Sequence, residues 1–375
     1  MRDGVGDMRR GCAPWASLFL FLFAPCVAHG QTNPQFDVNL RVDYSSVDVM
    51  LDFFDRKESS PDRVANQRGN QIAAATSALL ARINPPADDV VRAIERARDT
   101  RSVTDDMYGL MSSARHLEDL KKLLAEVKKR RLDTRVVATI SAYFPSDASI
   151  SVTIPVYVVA MGNERAAAFV RRVSWRDNKP VFVGGGEGEE VIVLNLTRCL
   201  MRGGDVGPEF IEVLSTLAHE CFHAVYGVYR PKENIPVTPA GTLADLVQNE
   251  GIAYFLSQEL HEGGEAPPPQ WFDMTARAIE KLNAAMLELN SSSLTQARAR
   301  ELMMNSNLSG SFEGNFGATA GLRIAYEIDR RLGRQALAET VRLGMPDFFG
   351  KYLELYKRDN NLPKLDDRVA EFLSR

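Results

Sequence analysis

The chain has 375 residues, 45 lysines and arginines against 49 aspartates and glutamates, and a net charge of −4. That balance gives no support to a nucleic-acid surface or a patch for anionic membranes. The length suffices for one large domain or two intimately packed ones.

Residues 1–30 read as a secretory signal. Arg9 and Arg10 form a short basic region, Trp15 to Val27 is largely apolar, and Ala28-His29-Gly30 offers small residues, which predicts cleavage after Gly30. The apolar run is short for a permanent span and is broken by Pro25. Lipidation at Cys26, which Pro25 opposes, and retention as an uncleaved anchor stay open as alternatives. The twin arginine lacks the rest of a twin-arginine export pattern. The segment carries Arg2, Arg9 and Arg10 against Asp3 and Asp7, so removing its +1 from −4 leaves −5. The expected product is exported, periplasmic or secreted. No later segment is apolar enough to span a bilayer. Cys12 and Cys26 leave with the signal. Cys199 and Cys221 remain where disulfides form, as a bridge or, for Cys221, as a small core residue.

Residues 31–135 read as an N-terminal helical region, with helices over 45–56 and 62–132 and stripes such as Ile72, Ala75, Leu79, Leu80 and Leu117, Leu120, Leu123, Leu124, Val127. The charged run from Lys121 to Arg135 is a solvated helix face, because acids and apolar residues interleave with it. Residues 136–375 form the second region, a sheet over 136–196 followed by helices over 208–375. β-branched residues concentrate in Val136–Ser141, Ile150–Ala160, Phe169–Ser174, Val181–Val183 and Val191–Leu196. The glycine-rich 184–188 has no following helix with Lys-Ser/Thr, so it is no phosphate cradle.

The stretch from Pro208 to Tyr226 has helical periodicity, ended by Gly227 and Pro231. Phe210, Ile211, Leu214, Leu217, Ala218, Cys221, Phe222 and Val225 share an apolar face; Glu212, Thr216, His219, His223 and Tyr226 share the other. His219-Glu220-Cys221-Phe222-His223 places two histidines four residues apart on that second face, close enough to share a metal ion. Glu220 can then reach the activated water as general base. The alternative is a plain amphipathic helix with locally hydrogen-bonded histidines.

A catalytic zinc needs a third protein ligand. Thr242-Leu243-Ala244-Asp245 resembles a capping box and opens a helix running to about Leu260. There Glu250 falls on a stripe with Leu243, Leu246, Val247, Ala253 and Tyr254, where a carboxylate is costly unless paired. A divalent cation would pair it; an arginine or backbone group is the other reading. Gly251 would allow close approach of the motif helix. Glu262 and Glu265 are weaker ligand candidates in a Gly/Pro-rich loop.

The histidine motif followed by Asn249-Glu250-Gly251-Ile252-Ala253 resembles the gluzincin class of zinc metallopeptidases. It is similar in particular to bacterial families described as zinc-dependent peptidases. Val42–Leu51 reads like their first helix, Val191–Leu196 like the strand before the motif helix, and Phe316–Gly321 leading into Ile328–Gly333 like their late helix. The resemblance implies one zinc per chain on His219, His223 and Glu250, with Glu220 as general base and a peptide or protein as substrate. It also implies a zincin-like α+β fold, mainly helical, whose small twisted sheet offers Val191–Leu196 as an edge strand for an extended peptide, with ordinary core as the other reading of that strand. Two positions depart from the class. Tyr254 stands where thermolysin-like members carry a supporting aspartate, and Asn315-Phe316 where members often carry a tyrosine.

The expected function is therefore an exported zinc peptidase. The alternatives are a zinc-binding envelope scaffold without turnover, and a helical adaptor without metal. Tyr226, Tyr254, Tyr326 and His261 (placed in a loop) are the candidate donors to the transition state, with Tyr326 slightly preferred.

Overall fold

Val38 and Leu40 are buried between exposed Asp37, Asn39 and Arg41, the two-residue alternation of a half-covered strand. That segment, β1 (Phe36–Asp43), was not expected from the sequence and places a strand in the region read as helical. The structure, a computed structural model, describes residues 36–86, 88–99, 106–162, 167–184, 186–203, 209–230, 238–307 and 314–373. The signal, its cleavage site and the helix start at Pro208 lie outside the described residues, as does Pro231.

The helices α1 (Ser45–Phe54), α2 (Pro61–Ala65), α3 (Arg68–Ala81), α4 (Asp89–Asp99), α5 (Leu110–Arg115), α6 (Leu117–Lys129) and α7 (Leu132–Ser141) follow β1. The long run expected over 62–132 is thus several shorter helices. The β-branched Val136–Ser141 belongs to α7 and is not a strand: Leu132, Val136 and Ile140 are all buried at a spacing of four, so helical burial overrides local β preference. Next come β2 (Ile150–Val159), β3 (Ala168–Arg176), β4 (Lys179–Phe182), β5 (Glu189–Asn195) and α8 (Leu196–Gly203). The C-terminal half is α9 (Glu209–Tyr229), α10 (Pro239–Glu262), α11 (Pro269–Leu289), α12 (Gln296–Asn307), α13 (Phe316–Leu332), α14 (Arg334–Leu343), α15 (Met345–Arg358) and α16 (Asp367–Leu373). The expected α+β, mainly helical class is what the chain adopts.

The strand order is β1-β2-β5-β3-β4. β1, β2 and β5 run parallel, and β3 is antiparallel to both β5 and β4. This corrects the expectation for Val191–Leu196. β5 is central, paired through Ile192–Asn195 with β2 and through Glu189–Leu194 with β3, so it has no free edge. The strand beside β5 that keeps part of its outer side unpaired is instead β3. β4 covers only Val173–Arg176, and among the described residues no strand pairs the outer side of Ala168–Arg171.

The sheet lies between helices, with α9 along β2, β5 and β3, and α3 against β2, β4 and β5. Residues 32–375 cluster as one compact unit. Cys199 and Cys221 are both free thiols in the core, so no bridge joins them; burial raises Cys199 to about 12 and Cys221 well above its ordinary value. No described helix is long and apolar enough to cross a membrane.

Candidate metal centre

Glu209 and Glu212 in the first turn of α9 favour its start through the helix dipole. Phe210, Val213, Leu214, Leu217, Ala218, Cys221, Phe222 and Val225 bury its apolar face. The helix passes through Gly227 and continues to Tyr229, because Gly227 is exposed and nothing there demands a break. His219 and His223 emerge on the other face.

α10 begins earlier than the expected box at Thr242. Thr238 is the N-cap: its hydroxyl accepts the Gly241 N–H at 3.1 Å, with Pro239 in the first turn. Asp245, expected to close a capping box, instead pairs with Arg230 and accepts from the Tyr226 hydroxyl at 3.0 Å. Glu250, Tyr254, Ser257 and His261, at intervals of four, three and four, share the α10 face turned to α9.

Gly251 serves a different helix from the one expected. A Cβ on Gly251 would lie 2.3 Å from the Gly321 carbonyl carbon, and one on Gly321 would lie 1.9 Å from the Val247 carbonyl oxygen. The two glycines let α10 and α13 touch backbone to backbone, so the close approach is to the late helix and not to α9.

The structure brings His219, His223 and Glu250 together. The two Nε2 atoms lie 3.0 Å apart, and Glu250 Oε2 lies 3.6 Å from the first and 3.4 Å from the second. Tetrahedral zinc with bonds of about 2.0–2.1 Å requires ligand–ligand edges of about 3.3 Å. The observed triangle straddles that value, so these residues fit the metal. The histidine side chains are 16% and the glutamate 15% exposed, which leaves them within reach of a water and a substrate.

Each ligand is held from behind. Asn249 Oδ1 lies 3.0 Å from His223 Nδ1, and Ser257 Oγ lies 3.4 Å from His219 Nδ1. Asn307, the last residue of α12, donates from Nδ2 to Glu250 Oε1 at 2.6 Å, leaving Oε2 for the centre. The Tyr254 ring stands edge-on to His219 at 4.9 Å. Such partners fix ring orientation and the nitrogen that faces a metal. Ser257, Asn249 and Asn307 had not been anticipated from the sequence. For the first, the signal is its place seven residues beyond Glu250 on the same helical face.

Burial works against charge on both Glu250 and His223, and their mutual attraction outweighs it. Glu250 is held well below the usual carboxylate range by His223 and His219, and His223 is pushed up to about 9 by Glu250. Glu220 makes no hydrogen bond or ion pair with the described residues, while its charge acts on His223, Tyr254 and Arg171.

Of the four donor candidates, three are engaged elsewhere. Tyr226 is buried, its hydroxyl bonded to Asp245 and, at 3.3 Å, to Gln248. Tyr326, the preferred one, packs among Phe255, Trp271 and Phe272. His261 lies within α10 rather than in a loop; its Nε2 is 2.8 Å from Ser215 Oγ and 3.2 Å from Glu212. Tyr254 alone of the four packs on a ligand, and the Asn315 side chain hydrogen-bonds to it. Neither weaker ligand candidate, Glu262 or Glu265, belongs to the cluster.

A mixed sheet, a helix bearing two histidines and a second helix bearing a glutamate together make a site that could hold a metal ion. Residues 62–361 match the family described as "Putative zinc dependent peptidase (DUF5700)", and the chain belongs to that family. No curated protein and no solved structure matches it.

Proposed function

We propose that the chain is an exported zinc-dependent peptidase in which His219 Nε2, His223 Nε2 and Glu250 Oε2 hold one zinc ion and Glu220 is the general base. The observation that carries this reading is the triangle of ligand atoms, whose 3.0, 3.4 and 3.6 Å edges suit tetrahedral zinc. When bound, zinc lowers the pKa of a water to about 7 and polarises a carbonyl. The Glu220 carboxylate, without a protein partner among the described residues, takes the proton of the attacking water and passes it to the leaving amine. Tyr254, whose ring packs edge-on against His219, is the phenol we assign as donor to the developing oxyanion.

The outer side of β3 supplies a place for an extended substrate. The Arg172 carbonyl accepts from Val183 N–H at 3.1 Å on the side away from β5. Antiparallel alternation turns the main-chain groups of Ala168 and Val170 the same way. A peptide adding there would form a further antiparallel strand beside α9.

Elemental analysis of the purified protein tests the metal, with one zinc per chain expected. A peptide library tests turnover, and Glu220→Gln is expected to keep the zinc while losing roughly 100-fold or more in rate. Zinc without turnover in the wild type would make the chain a binding scaffold. Absence of zinc would remove the whole reading.

A further inference from the structure

Arg171 stands on the stretch of β3 whose outer side is paired by no strand among the described residues. Its guanidinium carbon lies 4.8 Å from the centre of the Phe169 ring and 5.8 Å from that of Phe182, so two aromatic rings hold the cation without neutralising it. Nη1 donates to the Val170 carbonyl at 2.9 Å, and Nε is buried with no acceptor. No described carboxylate lies within ion-pair reach. Burial disfavours the charge, and the Glu220 carboxylate, acting from further off, favours it.

A half-buried arginine stays charged, and the two rings offset only part of its lost hydration; an anion or a full set of acceptors would offset the rest. Among the described residues both are missing, on the strand where the substrate would lie. The acceptor it does use is informative. The Val170 carbonyl points outward from the sheet, where an incoming peptide N–H would bond. An added strand would therefore displace Nη1 from Val170 and leave Nη1 and Nη2 as a free fork. The planar complement of that fork is a carboxylate, taken through two parallel hydrogen bonds.

We propose that Arg171 binds a carboxylate of the substrate peptide, an acidic side chain or the free chain terminus, and so sets the specificity of the cleft for peptides cleaved beside that group. The proposal rests on the peptidase reading above.

The test uses the full zinc-loaded chain and matched peptide pairs that differ only as Glu against Gln near the scissile bond, or as free against amidated C-terminus. The acidic member is expected to be preferred by roughly 10- to 100-fold in kcat/KM, the value of a charge-assisted pair. The pair that shows the preference identifies the source of the carboxylate. In Arg171→Met that ratio should collapse to within about threefold, and Arg171→Lys should keep part of it, since the charge remains but the fork is gone. Zinc content and melting temperature of each variant separate a lost fold from a lost contact. A wild-type ratio near one, or a ratio that survives Arg171→Met while both rates fall together, overturns the proposal. The same peptide pairs are titrated into zinc-loaded Glu220→Gln protein with and without Arg171→Met. Arg171-dependent preference in binding, without any turnover by the wild type, removes the peptidase reading and keeps the carboxylate site. Turnover without preference does the reverse.

Discussion

Helix α10 meets its two main neighbours in opposite ways. Toward α9 the contact is made by polar side chains, with Glu250, Asn249 and Ser257 reaching the two histidines and Tyr254 standing edge-on to one of them. About a quarter-turn round the same helix, Gly251 presents no side chain and meets Gly321 of α13 through backbone alone. The first contact has chemistry but adjustable length, because each side chain carries rotatable bonds. The second has no chemistry and almost no freedom. A metal centre needs both: groups that can ligate, and a carrier helix that cannot drift. The glycine crossing sets where α10 lies, and the side chains only span what remains.

The comparison breaks most completely at the ligands. His219→Ala, His223→Ala and Glu250→Ala are each expected to lose most bound zinc, measured by elemental analysis after dialysis, since each removes one of three ligands. Full zinc occupancy in Glu250→Ala would reduce that residue to a structural role. The groups behind the ligands come next. Asn249→Ala, Ser257→Ala and Asn307→Ala should each weaken zinc binding by about 10- to 100-fold in competition with a chelator, the usual range for such partners.

Proton competition sharpens the same face. Zinc needs His223 neutral, whereas the metal-free site holds it protonated up to about 9. Raising the pH therefore removes a competitor, and zinc affinity should rise by about tenfold per unit from neutrality and level off near that value. For the metal-free fold the sign is opposite. His223 stability is fully present below its unfolded value of about 6.5 and is lost as pH rises through about 9. An affinity flat between neutrality and pH 9 would count against the histidine–glutamate pair. The smallest effect belongs to the glycine face. Gly321→Ala pushes a methyl group into the Val247 carbonyl, so α10 must shift; it should cost about 1–3 kcal/mol in denaturant unfolding and weaken zinc binding a few-fold without removing any ligand group.

The two faces also differ in how far they could be read from the chain. That His219 and His223 would meet was legible, because two histidines four residues apart share one helical face. Glu250 was legible because a carboxylate on an apolar stripe asks for a partner. Gly251 was recognised as a point of close approach but assigned to the wrong helix, since a glycine reports that something is near and not what. Asn307 lies 57 residues from the glutamate it holds, on another helix, and no local pattern links them. The sheet failed in a related way. The segments at β2 to β5 were recognised from composition, yet the rank of β5 depends on pairing with β2 and β3, which is not a local property. Alternation in Phe36–Asp43 was readable and went unused. Val136 and Val137 suggest a strand by local preference, whereas the burial of Leu132, Val136 and Ile140 on one side of α7 is a tertiary property.

The parallel ladder between β1 and β2 has a kinetic consequence. Phe36 pairs with Ile150 and Asp43 with Tyr157, so every rung closes a loop of 114 residues (150 less 36). The proposed metal ligands span only 31 residues, from 219 to 250. Long closures are slow because their entropy is lost before their contacts form. A refolding chain should therefore acquire its ability to capture zinc at α9 and α10 on one clock and dock β1 on a slower one. Zinc uptake and protection of the β1 amides from hydrogen exchange, followed after dilution from denaturant, should give two separate rates.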